Sequence, residues 1–504
     1  MNTFYVFVAL LFVVIATIAI GVWGLRFSRT TSDFYVASRS VSPAWNSAAI
    51  SGEYLSAASF FGIAGLVITS GVDMLWYPIG WTVGYLFLLV FVAAPLRRSG
   101  AFTIPDFAQW RLQSNAARST SALVVIIIGW LYLWPQFQGA GLVLFSVIGT
   151  PAWIGTIAVA VVVVVNVISG GMRSITFVQA FQYWLKLTAL FVPLVLLIGA
   201  WSGSDAPALF VDGDSWAIPM QDDSLSNIYR TYSLMIATFL GTMGLPHVVV
   251  RFYTNPDGKA ARRTTLIVLL LISGFYLMPG MYGLIGHAYS EQLQQASGDI
   301  AIFALPEVLI GGQLGELLGA ILVAGAFAAF LSTSSGLTMA IAGVAGQQFQ
   351  STRWGQRFTG VQAIRLAALV FVLVPLGMAL LAQPIPVATS VTFAFAMAAS
   401  TFAPMLVLGI WWRRLTAAGA IAGVLAGGFA ALSATIATIA LRPTGDLAVV
   451  LSQPAGLSVP IGFGVMVLVS LMTKPPENTA RRMLRLHRPE TLGLPTQSNN
   501  RSAR

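Results

Sequence analysis

Apolar residues along this chain come in long continuous runs, without the regular polar positions that give a soluble helix or strand a wet face. "TFYVFVALLFVVIATIAIGVWG" near the start and "AVAVVVVVNVI" further on carry no charge at all. Thirteen such runs occur, at 3–25, 45–70, 75–95, 120–148, 152–168, 177–200, 228–250, 264–288, 315–345, 361–382, 385–411, 416–441 and 450–472. A helix needs about 17–25 residues to cross roughly 30 Å of hydrocarbon, and each run meets or exceeds that length. Strands of a membrane barrel would alternate polar and apolar, and these runs do not. The pattern predicts an all-α polytopic membrane protein with 13 transmembrane helices. The first run lacks a basic leader and a small-x-small cleavage signal and is long for a signal segment, so it reads as a retained span.

Composition narrows this further. Of 504 residues 57% are hydrophobic and 9% charged, against about 25% charged in soluble domains. With no cysteine, disulfides, thiolate metal sites and cysteine nucleophiles are excluded. The three histidines, His247, His287 and His487, are far apart, and no metal-ligand spacing, nucleophile elbow or phosphate loop is present. The chain therefore reads as a non-enzyme without a bound cofactor.

The net charge of +10 reports orientation. With the N-terminus outside, 23 of the 27 Lys and Arg fall on the inner side: Arg26, Arg29, Arg39, Arg97, Arg98, Arg111, Arg118, Arg173, Arg251, Lys259, Arg262, Arg263, Arg353, Arg357, Arg413, Arg414 and seven in the tail. Lys186, Arg230, Arg365 and Arg442 are the exceptions. That segregation predicts a multi-pass plasma (inner) membrane protein, N-terminus outside and C-terminus cytoplasmic, with no nucleic-acid partner. Asp205, Asp212, Asp214, Asp222 and Asp223 fall in an outer loop and read as solvated surface. The domain plan is a transmembrane unit over 1–473 and a basic cytoplasmic tail over 474–504, too short for a second domain. Arg481, Arg482, Arg485 and Arg488 could rest on anionic lipid.

Polar groups at membrane depth are few and hence informative. Glu53 lies roughly 12 Å into the second span at 1.5 Å per residue. It stands among Ser51, Gly52, Tyr54, Ser56 and Ser59, with Gly62 and Gly65 following. Glycine with serine lets a helix unwind and expose carbonyls to a small hard cation, although close packing through small residues is the plainer use. The seventh span, "LMIATFLGTMGLPHVVVRF", repeats the interruption at Gly241, Gly244 and Pro246 in the opposite direction across the membrane. Two interrupted helices five spans apart suggest inverted five-helix repeats, spans 2–6 (45–200) and 7–11 (228–411), with 3–25 before them and 416–472 after. The ninth span carries Ser332, Thr333, Ser334 and Ser335 in a row. They either bond back to the preceding turn or ligate a cation. Lys186 lies roughly 15 Å deep. It could pair with Glu53, sit where a cation would sit, or face an anionic substrate.

These residues resemble the sodium:solute symporter family. Four segments carry the likeness: "DFYVASRSVSPAWNSAAISGEYLSAASFFGIAGLVITSGVDMLWYPIGW", "GGMRSITFVQAFQ", "GTMGLPHVVVRFYTNPDGKAARRTT" and "FLSTSSG". "SGEYLSAASFFGI" and "GLPHVVVRFYTNPD" most resemble its cation–acetate and short monocarboxylate branch. The resemblance implies a leucine-transporter-type fold and a Na⁺ site at Gly52, Leu55, Ala329, Ser332 and Thr333. Two departures stand out: Gln179 where many members carry aspartate, and Lys186 one turn beyond Gln182. They leave transported Na⁺ and H⁺ both open as the coupling ion.

The expectation is symport of a short-chain monocarboxylate such as acetate, propionate or pyruvate with Na⁺ or H⁺. Tyr54, Ser56, Phe60, Gln136, Thr242 and Met243 are the candidate substrate-lining residues, and Glu53 is expected to balance the cation or Lys186. The alternatives are another small organic solute on the same scaffold, or a sensor that binds without transporting.

Overall fold

The computed structural model describes residues 2–24, 41–203, 207–209, 215–293 and 298–488. Arg26, Arg29, Arg39, Asp205, Asp212, Asp214 and the end of the tail lie outside the described residues. Every regular element among the described residues is helical. In order they are α1 (Thr3–Gly24), α2 (Pro43–Tyr54), α3 (Ala58–Ser70), α4 (Val72–Ser99), α5 (Ile104–Leu112), α6 (Asn115–Ile148) and α7 (Ala152–Ser202). Then come α8 (Leu225–Gly244), α9 (Pro246–Phe252), α10 (Gly258–Ala288), α11 (Ala301–Leu309), α12 (Gly312–Gln350) and α13 (Gly360–Leu381). The last are α14 (Val387–Trp411), α15 (Ala417–Leu441), α16 (Gly445–Ser452), α17 (Ala455–Met472) and α18 (Thr479–His487).

Helix ends follow local chemistry. Pro43 and Pro246 begin α2 and α9, where a missing N–H costs no hydrogen bond. Side chains of Ser114, Asp257 and Thr416 accept from the backbone N–H of Ala117, Ala260 and Gly419 at the starts of α6, α10 and α15. Arg111, expected in an inner loop, is buried instead. It donates to the carbonyls of Gly409 at 2.7 Å and Trp412 at 3.1 Å, where the unpaired C-terminal end of α14 attracts a cation.

Among the described residues ten helices are long and apolar enough to cross a membrane, and two bent pairs, α2/α3 at 70° and α8/α9 at 43°, bring the number to as many as 12. The expected fifth and sixth spans lie on either side of a break within α7, at Gly171. The 51 residues of α7 would extend roughly 76 Å if straight, far beyond one bilayer core. Gly171 interrupts it at φ 61°, ψ −169°, backbone angles that glycine adopts without steric cost. The expected thirteen spans are reached only by dividing α7 there.

α12 and α14 occupy the centre, whereas α1, α13, α15 and α17 keep much of their apolar surface outward, including Phe4, Leu381, Phe429 and Leu468. The first part of the tail forms a helix packed on the transmembrane unit. α18 docks on the protein: Met483 and Leu486 are buried, Arg98 donates to the Leu486 carbonyl, and the guanidinium groups of Arg482 and Arg485 lie over Trp110.

α2 meets α7 backbone to backbone, and Gly52 permits it: a Cβ there would strike the Gln179 carbonyl. Gly52→Val is expected to destabilise the protein by about 1–3 kcal/mol through overpacking. Gly199→Ala, where a Cβ meets nothing within 4 Å, serves as the control and is expected to leave the melting temperature in detergent no lower than wild type.

Candidate cation and solute site

The break between α2 and α3 falls at Leu55–Ala57. Leu55 leaves helical geometry at φ −72°, ψ 83°. The Ser56 N–H bonds to the Tyr54 carbonyl two residues back, at 2.8 Å, rather than to the turn below. Such a turn frees carbonyl oxygens at a depth where no bulk water can answer them. In the second broken pair, Pro246 supplies no N–H to α8, and Leu245 is extended at φ −68°, ψ 119°.

The freed carbonyls are met by a side chain. Lys186, buried in α7, donates from Nζ to the Gly52 carbonyl, to the Leu55 carbonyl at 2.7 Å and to Ser332 Oγ at 3.0 Å. Ser332 Oγ in turn donates to the Ala329 carbonyl at 3.1 Å, and Thr333 Oγ1 donates to the Glu53 carbonyl at 2.6 Å. Gly52, Leu55, Ala329, Ser332 and Thr333 thus gather in one place, α2 against α12, with the Lys186 ammonium inside the cradle.

Beside it lies a buried ion pair. Arg251 Nε is 2.6 Å from Glu53 Oε2, and the two side chains are 1% and 2% exposed. Arg251 also donates to Thr176 Oγ1 at 2.9 Å and to Gln179 Oε1, while Gln179 Nε2 donates to the Ser332 carbonyl at 2.8 Å. The network joins α2, α7, α9 and α12. Sequence reading placed Arg251 in an inner loop as one more orientation charge. The structure places it in the core. The available signal was its position five residues after Pro246 with no polar residue between them except His247.

Around Tyr54 is a buried aromatic cluster. Tyr54 OH is 2.8 Å from Thr242 Oγ1, joining the two broken pairs. Tyr54 packs on Tyr85 at 4.6 Å between ring centroids, Trp81 on Phe395 and on Tyr276 at 5.7 Å each, and Tyr132 on His247 at 5.4 Å and on Phe395 at 5.9 Å. Gln136 Oε1 accepts from the Ala57 N–H at 3.4 Å, and Ser56 is buried at the break. Of the expected lining residues, Tyr54, Ser56, Gln136 and Thr242 are brought to the break, and Met243 is buried next to Thr242. Phe60 points elsewhere: its ring packs against α12 at Gly325 and lies 6.4 Å from Phe275. Trp81, Tyr85, Tyr132 and His247 were not anticipated, although Trp81 and Tyr85 share a face at i, i+4.

Trp81 Nε1, Tyr85 OH, Gln136 Nε2 and both ring nitrogens of His247 are buried without a hydrogen-bond partner among the described residues. Groups of this kind in a protein interior call for a partner.

Two bent helix pairs meeting at a buried network of charged and polar side chains are the arrangement of the leucine-transporter fold. Solved structures share the fold: a Na⁺-coupled sialic acid symporter in a substrate-bound outward-open state at TM-score 0.76, 15% identical, covering 94% of this chain and 98% of that one. Mhp1, a nucleobase-cation-symport-1 family transporter in a closed conformation, follows at TM-score 0.55 and 15% identity, covering 91% and 99%.

The sodium:solute symporter family's sequence model matches residues 34–427. The symporter YwcA of Bacillus subtilis is 32% identical over 484 residues, 92% of this chain and 93% of the relative. A monocarboxylic acid transporter of Corynebacterium glutamicum is 31% identical over 490 residues, 90% and 89% of the two chains. The chain belongs to the sodium:solute symporter family. It is a multi-pass membrane transporter of a class that moves a small solute together with a cation, the ion being co-substrate rather than cofactor.

Removing one member of a buried ion pair typically costs about 3–5 kcal/mol, because the other charge is left unpaired. Arg251→Met is therefore expected to lower the melting temperature sharply, and Glu53→Gln added to it to recover part of the loss. Strictly additive effects in that double-mutant cycle would contradict the pairing.

Proposed function

We propose that this protein carries a short-chain monocarboxylate, acetate, propionate or pyruvate, into the cell together with Na⁺ or H⁺. The observation that carries the reading is the set of unpartnered donors around the break. Trp81 Nε1, Tyr85 OH, Gln136 Nε2 and a ring N–H of His247 can all donate, and a carboxylate is an acceptor-only group. The cationic side chains nearby are otherwise engaged, Lys186 by the cradle and Arg251 by Glu53. Neutral donors and aromatic walls suit a small anion with a short apolar tail. The Corynebacterium relative's name, monocarboxylic acid transporter, favours the same substrate class. Tyr54, Ser56, Gln136 and Thr242 complete the wall. The segments 45–200 and 228–411 act as the two inverted repeats whose relative rocking alternates access. The protein lies in the plasma membrane with its N-terminus outside.

Labelled acetate uptake into proteoliposomes, with Na⁺ and pH gradients imposed separately, tests this. Uptake is expected to saturate, to accelerate with one cation gradient, and to be competed by propionate and pyruvate. A hydrogen bond to a charged group is worth about 1.5–3 kcal/mol, so Trp81→Phe or His247→Leu should raise half-saturation roughly tenfold or more. Uptake linear in acetate and indifferent to both gradients would refute the proposal.

A further inference from the structure

An ammonium has three N–H donors and no acceptor. Lys186 Nζ meets three acceptors, the Gly52 and Leu55 carbonyls and Ser332 Oγ. That is a complete match for a charged lysine. A neutral amine would have one donor too few. The acceptors are those from which the family resemblance would build a Na⁺ site. The remaining oxygens of that set are also engaged, the Ala329 carbonyl by Ser332 Oγ and Thr333 Oγ1 by the Glu53 carbonyl.

We infer that Lys186 is the resident cation of this cradle, a tethered positive charge that takes the place of Na⁺ and excludes it from the site. Charge supports the assignment. Glu53 from α2 and Arg251 from α9 neutralise each other, so the ammonium leaves the cluster at one net positive charge, as a bound Na⁺ would. A Na⁺ ion entering here would face an ammonium at contact distance and would have to compete with it for the Gly52 and Leu55 carbonyls and Ser332 Oγ. It would meet an unscreened repulsion, because burial keeps counter-ions and water away. The attachment differs in kind from ion binding. Na⁺ would tie α2 to α12 only when it arrives, whereas Lys186 reaches both from α7 whatever the Na⁺ concentration. Any Na⁺ carried by this chain then binds elsewhere. The inference rests on reading the cradle as a cation site and is independent of the acid carried.

The test is the Na⁺ response of the purified full-length protein, read as melting temperature in NaCl against choline chloride at constant pH and ionic strength. Lys186→Ala should be destabilised in choline and should gain a saturable Na⁺-dependent rise that wild type lacks. Adding Ser332→Ala should abolish the gain. A Lys186→Ala protein with the same Na⁺ response as wild type would overturn the inference. If Lys186→Ala does not fold, Ser332→Ala alone decides. The wild-type response to Na⁺, whatever its size, should survive that substitution, and its loss would place Na⁺ in the cradle. Acetate uptake by the same preparations is scored separately. Its absence would remove the substrate reading and leave the ion result standing.

Discussion

A backbone carbonyl at the centre of a membrane protein must find a hydrogen-bond donor or a cation, since water is not at hand. The organisation around the break follows from that constraint. Opening the helix after Tyr54 exposes the Gly52 and Leu55 carbonyls, and the Lys186 ammonium answers both while holding Ser332. A turn that would be costly in isolation is thereby fixed in place, with α7 and α12 serving as its walls.

The constraint spreads outward through charge. Lys186 places a positive group near Glu53, and Glu53 is paired with Arg251 from the second broken pair. Arg251 in turn engages Thr176 and Gln179 on α7. The two broken pairs are linked again by Tyr54 and Thr242. Any relative movement of these helices has to exchange several charged contacts together. Such coupled, discrete rearrangement is what alternation between two states requires. The buried aromatic cluster around Tyr54 adjoins the same turn.

Much of this was legible in the residues. Glycines with serines at 51–65, and Gly244 with Pro246, marked both breaks, because loss of helical propensity is a local property. Ser332 and Thr333 stood out as hydroxyls in an apolar span, and Lys186 as a charge too deep to reach the surface. What remained hidden was partnership. Arg251 looked like an inner-loop charge because its distance from Glu53 in sequence, 198 residues, carries no local signal. Phe60 packs at Gly325 of α12, a neighbour far away in sequence that no local pattern reveals. The packing of Arg482 and Arg485 over Trp110 joins residues far apart in sequence and likewise left no local sign.

The most direct test of the central contact is spectroscopic. Lys186, Lys259 and Lys474 are the chain's lysines, so ¹⁵Nζ labelling gives a sparse solid-state NMR spectrum in which Lys259→Arg and Lys474→Arg substitutions isolate one signal. With ¹³C-labelled glycine and leucine carbonyls, the Lys186 Nζ should show ammonium shifts and strong dipolar coupling to both carbonyl types. An Nζ signal without carbonyl coupling, in a protein that is otherwise folded, would contradict the account.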